Sequence, residues 1–91
     1  MRKVTRWSWT GHAVQRAVER GISKSAVEAA LRWGCPRTTW RDWLYEVDGR
    51  SVEVAASQGV DIAAHQGVCV VLSADRAVRT AWRIKNYSQD F

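Results

Sequence analysis

The sequence predicts an α+β domain in which helices come first and an antiparallel sheet follows. Three observations carry that reading. Apolar residues recur at helical spacing up to residue 34. From residue 37 onward they alternate with period two. Gly or Pro punctuates nearly every junction between these stretches. A chain of 91 residues has room for one small domain, with helices over about 10–34 and a sheet over about 37–85.

Ser8 or Thr10 can cap the first helix, and Gly21 can stop it. Ala13, Val14, Ala17 and Val18 make its packing face. His12, Arg16 and Arg20 stack four residues apart on the opposite one. Ser23 caps a second helix that packs through Ala26, Val27, Ala30 and Leu31. Gly34 ends it, and Pro36 prevents its continuation.

Residues 38–41 and 43–47 are rich in strand formers. Asp48-Gly49 reads as a hairpin turn, and residues 50–57 alternate Val52 and Val54 against Ser51 and Glu53 as the next strand. Gln58-Gly59 and Gln66-Gly67 mark further turns. Residues 68–72 are a continuous apolar run, as a central strand requires. The turn 74–76 leads into a last strand, 77–84. On strict alternation Val78, Thr80, Trp82 and Ile84 share one of its faces. Ala77, Arg79, Ala81, Arg83 and Lys85 share the other. Helices packed on one side of such a sheet leave the other side open for a ligand.

Hydrophobic residues make up 46% and charged residues 25% of the chain, ordinary values for a globular domain. No apolar run approaches the roughly 20 residues of a membrane helix, so no membrane partner is expected. The basic start lacks the apolar stretch of a signal peptide. The net charge is +5 with an isoelectric point near 9.9, but it is unevenly spread. Residues 1–41 hold nine basic and two acidic groups, residues 42–75 one basic and six acidic, and residues 76–91 four basic and one acidic. Eleven of the fourteen basic residues are Arg, the type that grips phosphate with a planar fork and stacks on bases. Nucleic acid is the partner this pattern suggests, with a solvated basic surface as the alternative.

Three groups of residues bear on chemistry. His12 sits one turn from Arg16 and two from Arg20. RNA backbone cleavage needs a proton taken from the 2′-hydroxyl, one given to the leaving oxygen, and positive charge on the phosphate. The stripe offers all of these, although a His that caps or packs beside two solvated Arg would read the same. Arg79, Arg83 and Lys85 form a second basic row, and Thr80 and Trp82 lie on the opposite face of that strand. Finally, six Trp cannot all be buried in so small a core, so some should be exposed for base stacking or protein contact. His65 precedes a turn and is expected at the surface. Cys69 reads as a buried free thiol, with a Cys35–Cys69 disulfide as the alternative. The His and Cys residues lack paired ligand spacing, so no metal and no cofactor are expected.

The run from His12 to Ser23, His-Ala-Val-Gln-Arg…Glu-Arg-Gly-Ile-Ser, resembles the bacterial domain-of-unknown-function 4258 family. So do the helix ending Ala-Leu-Arg-Trp-Gly and the strand Val-Arg-Thr-Ala-Trp-Arg at 78–83. That family is similar to the barnase–EndoU–colicin–RelE ribonuclease toxins. The resemblance spans roughly residues 8–84. It implies two N-terminal helices packed on a four- to five-stranded antiparallel sheet. It also implies cytoplasmic, metal-independent RNA cleavage by a toxin–antitoxin or contact-dependent inhibition protein, held in check by a cognate acidic antitoxin or immunity protein. By analogy His12 and Arg16 of the helix and Thr80 of the last strand would be catalytic, and Trp82 would bind substrate. Arg20 would bind the scissile phosphate, and Arg79 and Arg83 the flanking backbone. A non-catalytic nucleic-acid-binding module, or a protein-interaction domain using exposed Trp, fits the same residues.

Overall fold

The computed structural model describes residues 7–9 and 11–84. In chain order it holds β1 (Ser8–Trp9), α1 (Gly11–Glu19), α2 (Lys24–Trp33), β2 (Cys35–Thr38), β3 (Trp43–Glu46), α3 (Gly49–Ser57), a 3-10 turn (Ala63–His65), β4 (Val68–Leu72) and β5 (Ala77–Arg83). One sheet runs β1-β5-β4-β3-β2. The α+β class is as the sequence predicts, but its order is matched only in part: a short strand precedes the two predicted helices, and a third helix separates β3 from β4. The apolar run 68–72 is indeed the central strand.

The α1–α2 junction follows from its residues. Gly21 adopts φ +71°, open to glycine without strain. Its N–H bonds the Val18 carbonyl at 3.0 Å, and the Ile22 N–H bonds that of Ala17 at 2.8 Å. These two bonds close the end of α1 as a Schellman motif and drop Ile22 into the core. Ser23 then caps α2, its hydroxyl accepting from the Ala26 N–H at 3.1 Å. α2 lays Ala26, Val27, Ala30 and Leu31 on the sheet, where they meet Tyr45, Val68, Val70, Leu72, Val78 and Ala81. Gly34 closes α2 with an ordinary φ of −63°, so space, not dihedral freedom, is its requirement. A Cβ there would collide with the Ala30 carbonyl oxygen and sit 3.1 Å from that of Glu46.

Four expectations need correction. First, the sheet is mixed. Ser8 and Trp9 form a short edge strand that runs parallel to Ala77 and Val78, so Ser8 is a strand residue rather than a cap. Thr10 lies outside the described residues. Second, residues 50–57 form a helix, not a strand. Asp48 does not turn a hairpin but caps α3, accepting the Ser51 N–H at 2.8 Å. Ser51 and Ala55 are buried at helical spacing, and the Val52/Val54 alternation reflects two half-buried flanks of that helix. Third, β2 ends at Thr38, and residues 39–42 are a turn leading into β3.

The fourth correction concerns faces. Val14 and Val18 are exposed, Val18 by 70%; only Ala13 and Ala17 of α1 are buried. α1 approaches β5 closely through these two small side chains, leaving the valines on its flank. In β5, a bulge separates Val78 from Thr80. Leu72 pairs with Val78 and the next residue, Val71, with Thr80, leaving Arg79 as the extra residue. Val78 and Ala81 therefore both reach the core, and strict alternation along 77–84 fails.

Two substitutions test these local causes. Gly34→Ala is expected to cost about 1–3 kcal/mol, the range for forcing extra volume into a packed site. Asp48→Ala is expected to cost about 1 kcal/mol as a lost helix cap. Urea unfolding of both variants measures this, and an unchanged midpoint for either contradicts the corresponding account.

Candidate nucleic-acid interface

The helices and the buried side chains of β3, β4 and β5 form one cluster on one face of the sheet. Cross-strand pairing places the alternate residues on the opposite face. One row runs Arg37–Leu44–Val71–Thr80 and the next Cys35–Glu46–Cys69–Trp82. Arg37 and Glu46 form an ion pair within this face. Thr80 and Trp82 thus share the face away from the helices, as alternation after the bulge requires.

At the border of the two faces, α1 meets β5. The helix follows β1, which pairs with Ala77 and Val78. Just past its end, Arg20 donates from Nη1 to Thr80 Oγ1 at 3.1 Å and to the Ala81 carbonyl at 2.9 Å. The Ala81 carbonyl is available for this because of ladder alternation. Ile84 N–H bonds the Gly67 carbonyl, so even-numbered residues of this stretch face β4 and the backbone of Ala81 faces outward. Beyond Val78 no strand pairs with that edge among the described residues. Arg20 therefore caps one edge carbonyl and grips a hydroxyl of the opposite face. Its Nε and Nη2 make no hydrogen bond to the described residues.

Helix geometry explains why Arg20 alone of its stripe makes this contact. Four residues on a helix advance about 40° beyond a full turn. From His12 through Arg16 to Arg20 the side chains rotate toward the buried face. Arg20 ends beside it, and His12 points well away. All three residues are exposed. The side chains of His12 and Arg16 make no hydrogen bond or ion pair to the described residues. Along the axis His12 lies about 12 Å from Arg20, eight residues at 1.5 Å each. The three side chains are strung along the helix, and of them only Arg20 reaches the β5 edge.

The second basic row does not form. Arg79, at the bulge, reaches Asp42 of the β2–β3 turn at 3.7 Å. Arg83 turns to the helix side and donates to the Ala64 carbonyl at 3.4 Å. The bulge is the cause, because it puts the two arginines out of phase. Lys85 lies outside the described residues. His65 closes the 3-10 turn, which packs against α2 rather than α1. No group of three or more metal-ligating side chains is gathered among the described residues, and none of their helices is long and apolar enough to cross a membrane.

Both cysteines are free. A bridge between them is geometrically closed, because β3 separates their strands and two strand spacings come to about 9.6 Å. Cys35 is exposed. Cys69 is buried between Glu46 and Trp82 in its row, and burial, reinforced by the Glu46 carboxylate, pushes its thiol up to about 11. The Trp residues divide as their number requires. Trp33 is buried, Trp7 and Trp9 pack at the core margin with ring centroids 5.6 Å apart, and Trp40 and Trp43 are exposed. Sequence reading missed the turn 39–42. Thr39 and Asp42, three apart and able to bond each other's backbone, were the available signal.

Compared with family models, with curated proteins and with solved structures, the chain matches none.

Thiol reactivity checks the cysteine placement. A neutral aromatic disulfide reagent at pH 8 is expected to modify one thiol per native chain, at Cys35. Cys69 should react only on unfolding or as pH rises toward 11. Because burial raises the folded-state pKa of Cys69, its contribution to stability is complete below the unfolded thiol range and is lost as pH climbs through about 11. Rapid labelling of two thiols at pH 8 contradicts this placement.

Proposed function

We propose that this chain is an RNA-directed domain of the toxin kind, which holds the phosphodiester backbone along α1 and the edge of β5. The observation that supports it best is Arg20. Its guanidinium is fixed through Nη1 by Thr80 and Ala81 and remains exposed, with further N–H donors unspent. A fixed planar fork meets a phosphate with little ordering cost. Arg16 and His12 continue the row at one-turn intervals, so successive phosphates rather than one would be contacted. Thr80 and Trp82 lie where the backbone would pass from the edge onto the sheet face.

In its stronger form the reading includes metal-independent cleavage, with His12 moving the proton, Arg16 one turn away holding the scissile phosphate, and Thr80 positioning the chain from the Arg20 end of the row. The exposed imidazole on the basic row favours it. The 12 Å helical rise between His12 and Arg20 favours simple binding, since the two would then serve different phosphates. An acidic antitoxin or immunity protein that covers the same row would be its natural inhibitor, and the cytoplasm its site of action.

Anisotropy titration of a fluorescent single-stranded RNA over a range of salt tests the reading. Arg20→Ala is expected to weaken binding similarly across sequences and to reduce the salt slope by about 1. Identical affinity and slope in wild type and variant would remove Arg20 from the interface. For cleavage, the wild-type domain is expected to fragment total RNA in the presence of a chelator, and His12→Gln to bind RNA without fragmenting it. Intact RNA after hours with wild type leaves the binding reading and ends the catalytic one.

A further inference from the structure

The turn between β2 and β3 is built to display an aromatic ring. Trp40 is 87% exposed, the most exposed of the large apolar side chains described. The turn that carries it is nonetheless held closed. Thr39 N–H donates to the Asp42 carbonyl at 2.8 Å, Thr39 Oγ1 donates to the same oxygen at 3.1 Å, and Asp42 N–H donates to Thr39 Oγ1 at 3.3 Å. The Arg41 guanidinium stacks on Trp40, 4.5 Å from the ring centroid. It covers one face of the indole and leaves the other to solvent. Trp43, at the start of β3, is 44% exposed.

We propose that Trp40 is a base-stacking subsite for single-stranded RNA, with Arg41 as its phosphate contact. The proposal deepens the reading above and rests on it. Placement supports it. Asp42, the last residue of the turn, pairs with Arg79, which directly precedes Thr80. The turn is thereby tied to the strand that carries the Arg20 seat. Strands β3 and β5 flank β4, about 10 Å apart, so one strand of nucleic acid can engage both. Charge selects this occupant. The one carboxylate of the turn is already matched by Arg79, and Arg41 forms no ion pair with the described residues, which suits a phosphate backbone. The flat ring serves any base, since every base has a π-face.

The test compares wild type with Trp40→Ala, Trp40→Phe and Arg20→Ala, binding a labelled ten-nucleotide oligouridine. Base–aromatic stacking of about 1–3 kcal/mol predicts a loss of about 5- to 150-fold for Trp40→Ala. The salt slope should stay unchanged, because stacking releases no counterion. Trp40→Phe should keep most of the affinity, and the tryptophan fluorescence quenched by RNA in wild type should shrink in both variants. The thermal melt of Trp40→Ala should match wild type, as its exposure requires. If wild type binds and Trp40→Ala binds within twofold of it, the subsite is overturned while the phosphate row stands. If wild type binds no RNA, the functional reading and the subsite fall together. Self-association that Trp40→Ala abolishes, with RNA affinity unaltered, overturns the subsite in favour of a protein contact.

Discussion

One extra residue in β5 sets the arrangement on which everything else depends. Without the bulge at Arg79, Val78 and Thr80 would share a face, and the strand could not supply both Val78 and Ala81 to the core. With it, the strand buries two small apolar residues against Ala13 and Ala17 of α1. These small side chains bring helix and strand close together. That closeness lets Arg20, past the helix end, reach over the strand edge to Thr80 and the Ala81 carbonyl. The same extra residue sends Arg79 toward Asp42 of the β2–β3 turn, so that turn lies beside β5. Core packing, edge capping and the position of the exposed Trp40 thus share one backbone irregularity.

Edge protection and ligand binding need not be separate roles for Arg20. An unpaired strand edge invites pairing with another chain, and a charged side chain laid on it is a common defence. Here the defending cation stands at the border of a basic row. Among the described residues the ion pairs are Arg37–Glu46 and Arg79–Asp42, each with an exposed guanidinium, and pairs of that kind add little to stability. The exposed Val14 and Val18 flank a groove of about 350 Å³ that also touches Trp9, Ile22 and Lys24, a surface distinct from the basic row.

Much of this was legible in the residues, and what was not has a local physical cause. Gly21, Ser23 and Gly34 announced the two leading helices because caps and left-handed stops act within a few residues of themselves. The run 68–72 announced a buried central strand through its unbroken apolarity. Residues 50–57 misled because two half-buried valines on a short helix mimic period two; the Asp48 cap with Ser51 three residues on was the competing signal. β1 escaped because a two-residue strand is defined by its partner in β5, far along the chain. The bulge escaped for a related reason. Only the spacing of Val78 and Ala81, three rather than two, hinted at it. The stripe His12/Arg16/Arg20 was found as residues but misread as a single face, since the 40° drift per step carries Arg20 to the strand and leaves His12 outside.

RNA is proposed to lie across the border formed by Arg20, Thr80 and the Trp40 turn. Chemical-shift mapping of the isotope-labelled domain with a short single-stranded RNA measures this most directly. Shifts are expected to concentrate in the amides of Arg16, Arg20, Thr80 and Arg41 and in the Trp40 indole N–H, with the residues of the Trp9–Val18 groove unmoved. Shifts confined to that groove, or none at saturating RNA, would contradict it.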